Sequence, residues 1–108
     1  MEISPLDKVQ RINLLLDYYD VLLTSKQQLY LDYYYRQDYS LAEIAKIQGV
    51  TRTAVFDTLK KAVLRLENYE DKLQLIARAH QRIAIIQAIE SKQENESILA
   101  LLQRLKEI

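Results

Sequence analysis

The only glycine of this chain, Gly49, lies between two helix-start signals, and its position limits the possible folds more than any other feature. Ser40, with Glu43 three residues later, forms a capping box that predicts the start of a helix. Gly49 then ends this helix, because glycine adopts the left-handed backbone conformation at a helix C-terminus without steric cost. Thr51 can cap a second helix that begins at the next residue. The segment 40–62 therefore predicts a helix-turn-helix.

The composition predicts an all-α protein. The 108 residues include one glycine and one proline, whereas helix-forming residues such as leucine, lysine and glutamate are abundant. No uncharged run approaches the ~20 residues that a membrane-spanning helix needs, and the charged N-terminus carries no apolar signal core. We therefore expect a cytoplasmic protein without a membrane segment. The absence of cysteine excludes disulfides and thiolate metal sites.

Two further helices are predicted before the motif. The first runs from Pro5 to about Leu23, with Ser4 as its cap and proline at the first helical position, where its missing N–H costs nothing. A second capping box at residues 24–27 predicts a short, tyrosine-rich helix that continues to about Arg36. One buried face of the first helix is expected to hold its apolar residues, which recur at three- and four-residue steps. They are Leu6, Val9, Ile12, Leu15, Leu16, Tyr19, Leu22 and Leu23.

The second helix of the motif is predicted to continue past Leu66, because its apolar stripe continues that far. The stripe pauses over residues 67–71 and resumes at Leu73, so we expect a kink or a helix boundary in this region. The chain is accordingly divided into a helix-turn-helix domain, residues 1–70, and a C-terminal helical segment, residues 71–108.

The C-terminal segment is predicted to associate with a second copy of the chain. Its polar run, residues 91–97, is the clearest linker, and Asn95 or Ser97 can cap a last helix. The apolar residues of the preceding long helix cover more of its circumference than one intramolecular contact would need, which indicates a homodimer. They are Leu75, Ile76, Ile83, Ile85, Ile86 and Ile89.

In a DNA-binding helix-turn-helix, the second helix enters the major groove with its N-terminal residues towards the base edges. Arg52 is predicted to contact a base or a phosphate, Thr53 and Phe56 to touch a thymine methyl, and the two lysines to bind phosphates. Asp57 can accept from a cytosine amino group but repels phosphates. The residues expected at double-stranded DNA are Thr51, Arg52, Thr53, Phe56, Asp57, Lys60 and Lys61.

The charge balance predicts weak DNA binding by one copy. The chain has 15 basic and 15 acidic side chains, unlike the strongly basic balance of many small nucleic-acid binders. Between residues 51 and 66, four basic side chains face a single aspartate. This local excess can contact phosphates with modest, salt-dependent affinity, which a dimer would double.

Other interpretations remain open from the residues alone. The two motif helices can be a packed corner that never meets DNA. The close approach of the helices at Ala45 favours the DNA-binding interpretation, and Ile44, Val50 and Val55 are expected to form the small core that they share. The eight tyrosines can stack on unpaired bases, although packing at helix interfaces is the simpler role. His80 is expected to be a packed helix residue. No catalytic residue, cofactor or metal site is predicted.

The motif IAKIQGVTRTAV resembles the fourth region of bacterial sigma factors, and a longer pattern resembles the YlxM family of small Gram-positive helix-turn-helix proteins. The longer pattern comprises LLTSKQQLYLDYYYRQDYSLAEIA, GVTRTAVFDTLKK and LENYEDKLQL, within residues 22–75. The chain departs from the family at Gln48, where an apolar residue is usual, so the first motif helix is expected to be slightly rotated or exposed at its end.

The resemblance implies a sigma-region-4-like domain of about four helices in a non-enzymatic, DNA-binding regulatory protein linked to the signal recognition particle pathway. A second hypothesis is an accessory factor of the signal recognition particle that binds its RNA or its GTPase. A third is a structural adaptor that acts only through its dimer surface.

Overall fold

The computed structural model of the protein describes residues 5–108, and over this range the chain is α-helical with no strand. The all-α prediction is therefore confirmed. The described residues form six α-helices: α1 (Pro5–Tyr19), α2 (Ser25–Leu31), α3 (Leu41–Gln48), α4 (Arg52–Leu73), α5 (Leu75–Glu90) and α6 (Glu96–Lys106). They form two compact units, of which the first ends at Leu73 and the second is Gln74–Ile108.

The core of the first unit forms where α1 packs against α4. Ile12, Leu15, Leu16 and Tyr19 are buried on the inner face of α1, as the three- and four-residue spacing predicts. Two residues of the expected face, Leu6 and Leu22, are exposed instead, whereas its last residue, Leu23, is buried. The chain leaves the α-helical path in a 3-10 turn, Asp20–Leu22, and this turn carries Leu22 out of the stripe. The predicted cap at Ser4 lies outside the described residues.

The predicted second capping box is present at the start of α2. The Gln27 backbone N–H donates to Thr24 Oγ1 and the Thr24 backbone N–H donates to Gln27 Oε1, each at 3.1 Å. The helix continues to Arg36, as predicted, but its last five residues, Asp32–Arg36, form a wider π-helical turn. After this turn, the Tyr39 N–H donates a hydrogen bond of 2.8 Å to the Tyr33 carbonyl.

The boundary between α4 and α5 lies at Gln74, beyond the expected region 67–71, through which α4 continues without interruption. The buried face continues there with a carboxylate in place of an apolar residue. Glu70 is buried and accepts a hydrogen bond of 2.5 Å from the Tyr19 hydroxyl. The apolar stripe of the sequence is therefore interrupted at a position where the helix is still packed. Gln74 has φ 54° and ψ 35°, a left-handed conformation that interrupts the helix.

The second unit consists of α5 and α6, which pack on each other. The predicted linker connects them, and Asn95 is the cap: its side chain accepts from the Ser97 N–H at 2.9 Å and the Ile98 N–H at 3.2 Å. Lys106 forms an ion pair of 2.7 Å with Glu90. The buried apolar residues are Ile76, Ala79, Ile86 and Leu102.

Candidate nucleic-acid interface

The first helix of the motif, α3, is capped as the sequence predicts. The Glu43 N–H donates to Ser40 Oγ at 3.0 Å, and the Ser40 N–H donates to Glu43 Oε1 at 3.1 Å. Two backbone donors at the exposed start of the helix are thereby satisfied, which typically stabilises such a helix by about 1 kcal/mol.

The turn between α3 and α4 depends on Gly49. This residue has φ 66° and ψ 36°, and the following Val50 N–H donates to the Ala45 carbonyl at 3.0 Å. A Cβ atom built on Gly49 would meet no other atom within 4 Å, so the left-handed backbone alone selects glycine there. Thr51 Oγ1 then accepts from the Ala54 N–H at 3.1 Å and caps α4, as predicted.

The helices of the motif pack through a small shared core. Ile44 and Val55 are fully buried and Ala45 nearly so, as expected for a close helix approach. The prediction for Val50 is wrong, because the turn holds this side chain at the surface. The departure at Gln48 does not rotate α3: its core residues stay inside, Gln48 is half-buried and Ile47 is exposed. The alternative of an exposed helix end is the one observed.

The seven predicted DNA-contact residues are all exposed along the first half of α4 and its cap. The Thr51 hydroxyl is already engaged by the Ala54 N–H, so its structural role is capping. The other six form three adjacent pairs, each four residues after the one before. Because neighbouring residues lie about 100° apart around a helix, the pairs cover a broad arc and not one narrow stripe. They are Arg52, Thr53, Phe56, Asp57, Lys60 and Lys61.

Only some of the seven predicted DNA-contact residues line a groove in the first unit. Phe56 and Lys60 line a groove of about 380 Å³, whereas the other five do not line it. The remaining lining residues come from α1, from residues 30–39, which we call the tyrosine segment, from α3 and from the later turns of α4. They are Lys8, Tyr34, Tyr35, Leu41, Leu59, Val63 and Leu64. The sequence analysis did not predict this groove. Its only signal in the sequence is that Phe56, Val63 and Leu64 make the apolar face of α4 wider than the stripe that packs into the core.

The tyrosine segment pairs its rings with one another. Tyr33 stacks on Tyr39 with ring centroids 5.0 Å apart, and Tyr34 meets Tyr35 edge-on at 4.9 Å. Burial, and then the neighbouring Tyr34, raise the pKa of Tyr35 above its usual value. Tyr34 is exposed, in agreement with the expectation that three consecutive tyrosines cannot all enter one core.

Three other features concern His80, metal binding and membrane helices. His80 is exposed on α5 and is not a packed residue, so that prediction is wrong: the turn of α5 around it buries Ile76 and Ala79 but leaves the next position outside. Among residues 5–108, no group of three histidine, cysteine, aspartate or glutamate side chains is placed to hold a metal ion. In the same range, no helix has the length and apolar character that crossing a membrane requires.

Comparison with known proteins gives relatives along nearly the whole chain. A protein of Halalkalibacterium halodurans is 43% identical over 104 residues, which cover 93% of this chain and 95% of the relative. A protein of Oceanobacillus iheyensis is 40% identical over 103 residues, which cover 95% and 98%. YlxM of Bacillus subtilis is 39% identical over 107 residues, which cover 95% and 97%.

A family model described as "Putative helix-turn-helix protein, YlxM / p13 like" matches residues 6–108. This match includes the capped helices, the Gly49 turn and the second unit, and it agrees with the resemblance identified from the motif. The chain belongs to the YlxM / p13-like family of helix-turn-helix proteins.

Proposed function

We propose that this protein is a non-enzymatic regulator that binds double-stranded DNA in the cytoplasm through the first half of α4. The observation that carries the proposal is the helix-turn-helix geometry itself, with a left-handed Gly49 turn followed by a capped, exposed helix start. Arg52 would contact a base edge or phosphate, Asp57 would accept from a cytosine amino group, and Lys61 would neutralise a phosphate. Thr53 and Phe56 offer apolar contact to a thymine methyl.

We further propose that the DNA-binding form is a homodimer held together by the second unit. The support is apolar surface on both of its helices: Ile85 on α5 is 63% exposed and Leu101 on α6 is 59% exposed. Burying such side chains on a second copy would be favourable by about 25 cal/mol per Å² of apolar surface removed from water. A twofold pair would also present two α4 helices to two half-sites, which compensates for the neutral charge of one chain.

The DNA contact is tested by Arg52→Ala combined with Lys60→Ala, measured by fluorescence anisotropy on a duplex of about 20 bp at several salt concentrations. We expect loss of binding with an unchanged helical circular-dichroism spectrum. Each phosphate contact removed should also flatten the salt dependence by ~0.9 in log–log slope. Arg82→Ala combined with Lys92→Ala, exposed positions in the second unit, is the matched control. Unchanged DNA binding by the first double variant would refute the assignment.

The dimer is tested by light scattering at tens of micromolar protein, where a dimer has twice the 12.7 kDa chain mass. Ile85→Glu combined with Leu101→Glu should give the mass of one chain. Val21→Glu, at an exposed position of the first unit, should leave the dimer intact. A monomeric wild-type chain at this concentration would contradict the proposal.

The exact balance of 15 basic and 15 acidic side chains favours testing a second function, an accessory role in the signal recognition particle pathway. On this hypothesis the same module would bind the particle RNA or its GTPase. Affinity for random duplex DNA, particle RNA and the GTPase should be compared as salt is raised. Binding of the GTPase alone, undiminished at high salt, would replace the DNA proposal. A pull-down with and without nuclease separates nucleic-acid partners from protein partners in the cell.

A further inference from the structure

The groove beside α4 has an apolar floor that is open to solvent. Leu59 is buried at its base, whereas Phe56 is 53% exposed and Leu64 is 56% exposed. Half-exposed lining of this kind does not enclose a small molecule, since ligand pockets typically bury most of the ligand surface. This half-exposed lining suits a macromolecular partner that is large enough to cover the groove.

In the part of the chain that the structure describes, the polar side chains that line the groove are two lysines and two tyrosines, all of which can donate hydrogen bonds. Lys8 and Lys60 carry positive charge, Tyr34 and Tyr35 carry hydroxyls, and no carboxylate of this part is among the lining residues. Within residues 5–108, neither lysine forms an ion pair. The groove therefore combines apolar surface with positive charge that is left for a partner to neutralise.

The carboxylate of Glu67, three residues after Leu64 on α4, is paired with Arg11 and with neither lysine. The Arg11 guanidinium donates from both Nη2 and Nε to the two carboxylate oxygens of Glu67, at 2.9 and 3.3 Å. This two-pronged pair holds Glu67 towards α1. The pKa of Arg11 is raised, chiefly by the hydrogen bond to Glu67, which favours its charged form.

We propose that this groove docks an acidic amphipathic helix of a protein partner, with two or three apolar side chains on the floor and carboxylates against Lys8 and Lys60. The volume of about 380 Å³ accommodates a few side chains and not a folded surface. An amphipathic helix presents apolar residues at three- and four-residue spacing, which matches a groove that follows one flank of α4. Carboxylates bordering that apolar stripe complement the two lysines and the tyrosine hydroxyls.

The docking groove goes beyond DNA binding and competes with it, because Phe56 and Lys60 belong to both surfaces. A helix seated in the groove would cover the Phe56 ring and neutralise Lys60. The partner would therefore exclude DNA from α4, and DNA would exclude the partner. The two binding events would be linked with the same factor in each direction.

The probe is a synthetic peptide of ~14 residues with leucines at three- and four-residue spacing and flanking glutamates, long enough to form a helix on binding. It is titrated into the ¹⁵N-labelled full-length chain. We expect saturable amide shifts around the groove residues and a Kd below about 100 µM. A second peptide with every glutamate replaced by lysine should bind at least about tenfold more weakly. Absence of a saturable shift, or equal binding of both peptides, would overturn the proposal.

Variants separate this surface from the DNA surface. Leu64→Glu and Lys8→Ala should each weaken the acidic peptide severalfold while leaving DNA affinity unchanged, because neither residue belongs to the proposed DNA contacts. Ile47→Glu, which introduces the same charge at a similarly exposed apolar position of α3, is the control and should bind the peptide normally. Normal peptide binding by Leu64→Glu would refute the groove. Peptide binding by a chain that never binds duplex DNA would leave the groove standing and remove the DNA proposal.

Discussion

Replacing Gly49 tests the reasoning about the motif, because its effect is confined to the local backbone. Gly49 has φ 66° and ψ 36°, and an added Cβ atom would meet nothing within 4 Å. Gly49→Ala therefore introduces no clash with the rest of the protein. Its cost arises only from holding an alanine in the left-handed conformation.

The expected magnitude follows from two opposing effects. The left-handed conformation costs a non-glycine residue roughly 1–2 kcal/mol. Alanine also reduces the conformational freedom of the unfolded chain, which stabilises the fold by about 0.4–1 kcal/mol. The net destabilisation of Gly49→Ala should be about 1 kcal/mol, equivalent to a fall in Tm of about 4–8 °C for a unit of this size. Gly49→Asn should cost less, because asparagine visits this conformation more readily.

The assay is thermal unfolding of the full chain by circular dichroism, together with amide hydrogen exchange. Because the chain has two units, exchange at Val50 and Val55 shows whether the first unit is the one destabilised. The Val50 N–H, which donates to the Ala45 carbonyl across the turn, should exchange faster in Gly49→Ala. Equal destabilisation by alanine and asparagine would refute the backbone argument and indicate a side-chain clash. An unchanged Gly49→Ala variant would mean that the turn is not left-handed.

Three further predictions concern other parts of the chain. Tyr19→Phe removes a donor from the buried Glu70 carboxylate and should lower the free energy of unfolding by about 1–3 kcal/mol in urea denaturation, and a change under 0.5 kcal/mol would contradict the buried bond. Asn95→Ala should cost about 1 kcal/mol and speed amide exchange in the first turn of α6, whereas unchanged exchange there would exclude the cap. The pKa of Tyr35 is raised in the fold, so its neutral hydroxyl favours the folded state over the unfolded state. This contribution to stability is fully present below the unfolded-state pKa near 10 and is lost as the pH rises through the folded-state pKa. Tyr35→Phe should therefore flatten the loss of stability in strong alkali, relative to the exposed control Tyr18→Phe, and parallel pH curves for the two would contradict the shift.

The features that could be predicted from the sequence are those fixed by residues close together along the chain. A capping box needs only a hydroxyl and a side chain three residues later, so the boxes at Thr24 and Ser40 and the start of α4 are found where expected. The turn at Gly49 is equally local. All of these depend on backbone groups that must be satisfied within one helical turn.

The features that were missed depend on contacts between residues far apart in sequence. Glu70 continues the buried face of α4, and Tyr19, fifty-one positions earlier, donates a hydrogen bond to its carboxylate. No hydrophobic pattern marks a carboxylate as buried, so the helix boundary was expected too early. The groove was missed for the same reason, since its lining brings Lys8 and the tyrosine segment against α4.

The position of Leu64 on α4 separates the two proposed uses of this helix. Leu64 lies twelve residues after Arg52, or about 18 Å along the helix axis. The major groove is about 12 Å wide, so a helix that enters it by its N-terminus leaves Leu64 beyond the bases. DNA binding therefore gives no reason for an apolar side chain to remain 56% exposed at that position. A helix docked along the same flank would bury it, which is why Leu64 is the residue whose substitution distinguishes the protein partner from DNA.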